Sequence, residues 1–368
     1  MVSQLKQITV NMAAGANVAT VIMMFLSGFS DYWDPVRFPV LSCTGLAFPV
    51  FLAVNMAFLF FWLAFKRIYM SIPLVGYLAC YVPLRIYMPL NLPEDMPEDV
   101  IKVLTYNVEN YTGDPRYEDG FSKIYTYIKE SKADIVCIQE DNSKLFAAMR
   151  DSVGAPYAYY DTTGVGNASV KMNWQGIYSR FPILKKETIG YTSKGNGSVA
   201  YYLKIDNDTV IVVNNHFESN HLSPDEREMY KDMIKGDVET DTAKAGSKII
   251  FSKLVEAVAM RAPQADSVHQ YIENHKEYPV IVCGDFNDNP ISYTRRTVAK
   301  GLVDCYVETG RGIGLSYNRK GFFVRIDNIF CSDKFKAYNC KVDNEIDASD
   351  HYPMYCWLRM VNKNGKKP

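Results

Sequence analysis

From Phe38 to Phe65 the chain runs for 28 residues without a charge, and the run contains VFLAVNMAFLFFWLAF. A bilayer core takes about 20 apolar residues as helix, and a charge at its centre costs roughly 2.5–3.5 kcal/mol. A stretch bounded by Arg37 and Lys66, with no polar face to turn to water, therefore predicts a membrane-crossing helix. Ile8–Phe29 predicts a second span, softened by Asn11 and Asn17. Ile68–Leu84 predicts a third, short and carrying Pro73 and Pro83, with Arg85 able to snorkel from its end. Tyr32, Trp33, Tyr69 and Tyr87 lie near the span edges, as interfacial aromatics do. A buried soluble helix competes with the long run, but the run exceeds ordinary core-helix length. A cleaved signal peptide competes with the first span, but its apolar stretch is too long and no small-residue cleavage site stands out.

Basic short loops stay cytoplasmic. Lys6 and the Lys66–Arg67 turn therefore predict a cytoplasmic N-terminus and first return turn. With three crossings, everything after Leu90 is extracytoplasmic; with two, that side reverses.

The rest of the chain differs in kind. Residues 1–90 hold five basic and two acidic side chains, and the remainder holds 35 and 39, a net charge of −4. With 48% hydrophobic and 22% charged residues overall, disorder, collagen and coiled coil are excluded as the main content. NLPEDMPED reads as a solvated linker over 91–100, which divides the transmembrane region, 1–90, from a second domain, 101–362.

That domain repeats one theme. A short β-branched or aromatic run ends at once in Asn, Asp, Glu or His: IKVLTYN, ADIVCIQE, TVIVVNNH, YPVIVCGDFN and VRIDNIFCS, with SDH preceding YPMYCWL. Such runs read as buried strands. Tyr117–Ser131 and Ala245–His275 have helical spacing, the second interrupted at Pro263, and Asp206-Asn207-Asp208 signals a hairpin turn. Alternation of helix and strand predicts an α/β layered domain, with polar groups from several strands delivered to the loops at their ends.

Those groups suggest chemistry. Asn107 and Glu140 form a hard oxygen pair suited to Mg²⁺ or Mn²⁺, although each alone reads equally as a cap or a surface residue. In GDFND, Asp285 and Asn287 face one side of an extended segment and can orient a water and hold a phosphoryl oxygen; the plainer reading is an Asx-turn. In SDH, Asp350 is a potential metal ligand beside His351, and Asp327 offers a carboxylate that could fix the tautomer of that imidazole. His216 could face a phosphate or be structural. His221, His269 and His275 read as solvated. Neither G-x-S-x-G nor C-x-x-C occurs, so serine-nucleophile and cysteine-metal chemistry are disfavoured. Cys137 and Cys283 read as packed thiols, while a disulfide among Cys305, Cys331, Cys340 and Cys356 stays open.

Together and in this order, YNVEN, IQE, NNHF, GDFND, RIDNIF and SDHYP resemble the endonuclease/exonuclease/phosphatase superfamily over about residues 101–360. GIYSRFPI resembles that family's central strand. The resemblance implies an α/β fold, a four-layered αββα sandwich of two packed mixed sheets flanked by helices, preceded here by an all-α transmembrane region. It implies Mg²⁺-dependent, or Mn²⁺-dependent, hydrolysis of a phosphoester. Asn107, Glu140 and Asp350 match metal positions, Asp285 the residue that orients or deprotonates water, and Asn287 a phosphate-binding amide. His351 matches the imidazole at the phosphate, Asp327 its partner, and His216 the second active-site histidine. Asn328 stands where an aromatic is common.

The expected function is a membrane-anchored phosphodiesterase or phosphatase. A nuclease is the first alternative, weakened by the net charge of −4, although Lys185–Lys186 and Arg295–Arg296 could form basic patches. A non-catalytic module of the same fold is the second. The substrate, whether nucleic acid, phospholipid headgroup or phosphoinositide, is undecided. The lipid bilayer is an implied partner and no protein partner is implied. Specificity is expected in loops such as Asp161–Trp174 and Phe217–Gly246.

Overall fold

The computed structural model describes residues 2–111, 120–142, 157–167, 171–235, 237, 240–319 and 324–361. Residues 117–119 of the first expected helix lie outside this set.

Twelve strands form two six-stranded mixed sheets. The first has the order β11 (Phe335–Val342), β12 (Met354–Met360), β1 (Ile101–Asn107), β2 (Ile135–Asp141), β4 (Lys171–Ser179), β3 (Tyr159–Asn167). The second has the order β5 (Ile183–Ile189), β6 (Gly197–Ile205), β7 (Asp208–His216), β8 (Val280–Asp285), β10 (Asp327–Cys331), β9 (Val303–Asp304). Each sheet holds one parallel pair, β1 with β2 and β7 with β8. A parallel pair needs a crossover, and the helices Gly120–Ser131 and Thr240–Glu273 lie in those two connections.

The two-residue period of a strand sorts side chains into layers. Val103, Cys137 and Ile177 of one sheet meet Val199, Val212 and Cys283 of the other. The alternate residues Leu104, Val136 and Ile138 pack on Ile124 and Ile128 of the first helix. Ile211, Val213 and Val282 pack on Ala265, Val268 and Ile272 of the second. Strands covered on both faces read as continuous apolar runs, and the result is the expected αββα sandwich.

Several local expectations change. The long helix runs unbroken through Pro263, because the residues beside it, Ala262 and Ala265, are buried in the core while the ring stays outside. Asp161–Trp174 is not a loop: its described residues belong to the β3–β4 hairpin. Phe217–Gly246 contains the helix Pro224–Lys235. The GIYS segment lies in β4, next to the edge strand β3 and not at the centre. All eight cysteines are free and buried.

In the N-terminal region, Lys6–Gly28 and Pro39–Phe65 are long and apolar enough to cross a membrane. The second is composite: the regular helix begins only at Phe48, after short turns over Pro39–Ser42 and Cys43–Ala47. The expected third span is a pair, Arg67–Ala79 and Tyr81–Tyr87, bent by 66°. Pro83 has no N–H for the carbonyl of Ala79, so the helix breaks at Cys80.

The polar residues of these helices find each other. Asn17 Nδ2 donates to Asn55 Oδ1 at 2.9 Å, and Trp62 Nε1 donates to Asn17 Oδ1 at 3.0 Å. All three side chains are buried, as inter-helix polar contacts in an apolar bundle require. The bundle is also fastened to the sandwich. Ser30 Oγ donates to the Ile291 carbonyl at 3.0 Å, and buried Arg325 Nη2 donates to the Ile86 carbonyl at 2.8 Å. The linker is held too, because Asn91 Nδ2 donates to the carbonyls of Val307 and Gly310.

Candidate active site

Beneath the site, the two sheets are joined by buried amides. Gln139 Nε2 donates to Asn214 Oδ1 at 2.6 Å, and Asn214 Nδ2 donates to the carbonyls of Ile138 and Gly176. Gln175 Nε2 reaches the Gly197 carbonyl across the same gap. This seam fixes the sheets so that the ends of β1 and β2 meet those of β7 and β8.

Asn107 ends β1, and its Nδ2 lies 3.3 Å from Glu140 Oε1 and 3.1 Å from Asp285 Oδ2. Glu140 does not end β2. It occupies a bulge, with φ of 52°, between the paired residues Gln139 and Asp141. A bulge bends the strand and re-aims a side chain, and here the carboxylate leaves the ladder for the cavity. His216 ends β7, its Nε2 3.5 Å from Asp285 Oδ2 and 3.7 Å from Glu140 Oε1.

Gly284 precedes Asp285 with φ of 127°, and a Cβ there would stand 2.0 Å from the Asn215 carbonyl oxygen. Only glycine lets β8 approach β7 at this point. Asp285 then accepts from the Asn287 N–H at 2.8 Å, so the Asx-turn reading of GDFND holds as geometry. Asn287 Nδ2 donates to the Phe217 carbonyl at 2.9 Å.

Antiparallel register sets Asp327 of β10 directly opposite Asp285 of β8. His351 completes a line: its Nδ1 is 2.9 Å from Asp327 Oδ2 and its Nε2 is 3.6 Å from Asp285 Oδ2. Burial lowers the His351 pKa, but the carboxylates of Asp327 and Asp285 outweigh it and hold the imidazole well above its ordinary range. Burial pushes the Asp285 carboxyl up; His351 offsets this and Asp327 adds to it. Ligand atoms of Asp285, Asp327 and His351 all lie within 4.8 Å of one another, close enough to share an ion. The hydrogen-bonded line of two carboxylates and an imidazole also suits proton handling.

Asp350 lines the same cavity as Glu140, Asp285 and His351. Its carboxylate lies 3.6 Å from Arg319, which also binds Glu109 at 2.6 Å. The loop is anchored by Ser349 Oγ, which donates to the Asn107 carbonyl at 2.7 Å. Carboxylates with an amide are the hard donors a divalent cation needs; Glu140 and Asp350 both line the cavity, and the Asn107 amide oxygen accepts from the Glu109 N–H at 3.1 Å.

All eight expected site residues therefore converge. Sequence reading missed Glu109, Arg319 and the Gln139–Asn214–Gln175 seam. Gln139 lies next to Glu140 on a predicted strand, but nothing in a strand run marks a residue as bridging two sheets. His221 is exposed, as read, and its Nε2 also bonds Glu218 Oε1 where the ring lines the cavity. His269 and His275 are half-buried.

Two mixed sheets packed face to face, with carboxylates and imidazoles gathered at their strand ends, define an αββα fold of the phosphoesterase type. The chain belongs to the Endonuclease/Exonuclease/phosphatase family, whose family model matches residues 104–351. A second model, described as Domain of unknown function (DUF8431), matches residues 10–87. No curated protein matches the sequence. Among solved structures, a family protein from Bacteroides thetaiotaomicron is similar at 17% identity and a TM-score of 0.52, covering 72% of this chain and 98% of its own. The human Nocturnin catalytic domain is similar at 14% identity and 0.51, covering 72% and 96%. Sphingomyelinase C from Streptomyces griseocarneus is similar at 16% identity and 0.50, covering 71% and 99%. At these identities the likeness is one of fold.

Proposed function

We propose that the protein is a membrane-anchored, Mg²⁺- or Mn²⁺-dependent phosphoesterase that hydrolyses its substrate by in-line attack of an activated water. The observation that carries this reading is the Asp327–His351–Asp285 line meeting the Asn107–Glu140 pair at the strand ends. Asn107, Glu140 and Asp350 would hold the ion, which when bound offsets charge on the phosphoryl group.

The chain's own residues do the rest. Asp285, its basicity raised by burial, aligns the water and takes its proton. His351, kept protonated by Asp327, bonds the phosphoryl oxygens and gives its proton to the leaving oxygen. Asn287 and His216 hold the remaining phosphoryl oxygens. The Lys6 and Lys66–Arg67 ends lie in the cytoplasm and the sandwich on the opposite side. A nuclease reading is disfavoured because both basic pairs are neutralised locally: Lys185 by Glu187, Lys186 by Asp161, Arg295 by Asp304, and Arg296 by Asp31.

The test is release of nitrophenol from bis(4-nitrophenyl) phosphate and 4-nitrophenyl phosphate by the full chain in detergent. Turnover with Mg²⁺ that disappears in EDTA is expected. Turnover unaffected by EDTA, or none on either ester, would remove the proposal.

A further inference from the structure

The catalytic groups open into a cavity of about 750 Å³ whose lining is of two chemical kinds. Glu140, Asp285, Asp350 and His351 are among its polar lining residues. Leu46, Pro49, Val50 and Tyr87 of the N-terminal region line it too, as do Ile250, Leu254 and Val258 of the Thr240–Glu273 helix. A phosphate fills only a small part of such a space, and these residues supply an aliphatic wall beside it.

That wall is continuous with a candidate membrane span. Pro49 and Val50 begin the Phe48–Phe65 helix, and an 18-residue stretch within Pro39–Phe65 has a mean hydropathy of 2.2. Of the lining residues, Leu46 is 44% and Val50 59% exposed, and Ile249 and Phe251, which flank the lining residue Ile250, are 49% and 43% exposed. An aliphatic wall open to water gains nothing for a soluble polyanion, but it suits a ligand whose apolar part comes from the bilayer. Arg227 lines the same cavity and supplies a cation for an anionic headgroup. The bundle does not swing away from the catalytic domain: Met24, Phe48, Tyr87 and Ile291 form one buried cluster across the junction.

We infer that the substrate is a lipid phosphoester drawn from the bilayer, seated with its phosphate at Asp285 and His351 and its chain along Leu46 and Val50. This rests on the phosphoesterase reading and names the substrate class for it. Water adds across one P–O bond; the alcohol leaves with a proton and the phosphoryl group keeps the water oxygen.

The experiment uses the full chain in phosphatidylcholine nanodiscs with Mg²⁺ and a series of alkyl 4-nitrophenyl phosphates, methyl to octyl. Each methylene moved from water to an apolar wall is worth up to about four-fold in affinity. The octyl-to-methyl ratio of kcat/KM is expected to exceed ten-fold, and to collapse toward unity in the double variant Leu46→Asn, Val50→Thr. A ratio is independent of the folded fraction, so partial misfolding of the variant does not blur it. Methyl-ester turnover with a flat chain-length series overturns the lipid inference and leaves the phosphoesterase reading standing. A steep series that survives the double variant reflects partitioning into the nanodisc and also overturns the inference. Faster cleavage of DNA than of the octyl ester overturns it as well. Turnover of no ester at all removes both readings.

Discussion

Replacing Asp327 by Asn removes one charge from the site and keeps its shape. The carboxylate oxygen lies 2.9 Å from His351 Nδ1. Coulomb attraction at that distance, with an effective dielectric near 20, is about 6 kcal/mol. Burial of both groups opposes it, and removing one partner of such a pair costs about 3–5 kcal/mol. Without that carboxylate, burial is opposed by less charge and the His351 pKa falls from its raised position. A histidine with a raised folded pKa is fully charged below its ordinary value and loses its proton as pH rises through the raised one. In Asp327→Asn that loss moves to lower pH than in the wild type. The pH profile of kcat/KM on a chromogenic phosphodiester reads this directly. Activity is expected to fall about ten- to hundred-fold at pH 8 and much less at pH 6. An equal loss at both pH values, or none, would refute the idea that Asp327 acts by holding the His351 proton.

Three further experiments probe the framework. Gly284→Ala puts a methyl against the Asn215 carbonyl in a left-handed backbone, so a loss of about 3 kcal/mol or more is expected as a lower Tm; an unchanged Tm would mean the strands separate easily. Burial pushes the Glu218 carboxyl up, but bonds from His221, Ser193 and the Lys194 N–H outweigh it and hold the pKa at about 2. The stabilisation is therefore complete above about pH 4.5 and is lost as pH falls toward 2, so Glu218→Gln should cost up to about 3 kcal/mol at pH 7 and little at pH 2.5, read by denaturation at both values. Asn55→Ala should lower stability in detergent by about 1–2 kcal/mol, and adding Asn17→Ala should cost less than it does alone, because the Asn17–Asn55 bond is already gone and only the bond from Trp62 remains to lose; fully additive losses would deny the coupling.

Much of the fold was legible because its strands are buried on both faces. Runs such as TVIVVNNH and YPVIVCGDFN announce themselves by β-branched content, and their polar ends fell where the site is. What could not be read was shape that depends on distant packing. Pro263 is a helix breaker locally, yet neighbours buried in the core carry the helix through it. Glu140 looked like the end of β2, and only pairing with β4 reveals the bulge that aims it. Asn17 looked like a flaw in a span, and its partners Asn55 and Trp62 lie 38 and 45 residues away. The apolar cavity wall was invisible for the same reason, since it joins a candidate membrane span to a helix some 200 residues later.

The most direct test of the central claim measures ion binding and turnover on one preparation. Mn²⁺ binding to the full chain in detergent is followed by electron paramagnetic resonance beside hydrolysis of bis(4-nitrophenyl) phosphate. The account predicts that Glu140→Gln weakens Mn²⁺ binding and activity together. It predicts that Asp285→Asn keeps the ion but loses about 10²–10⁴-fold in turnover. Normal turnover by Asp285→Asn, or ion binding indifferent to Glu140, would contradict it.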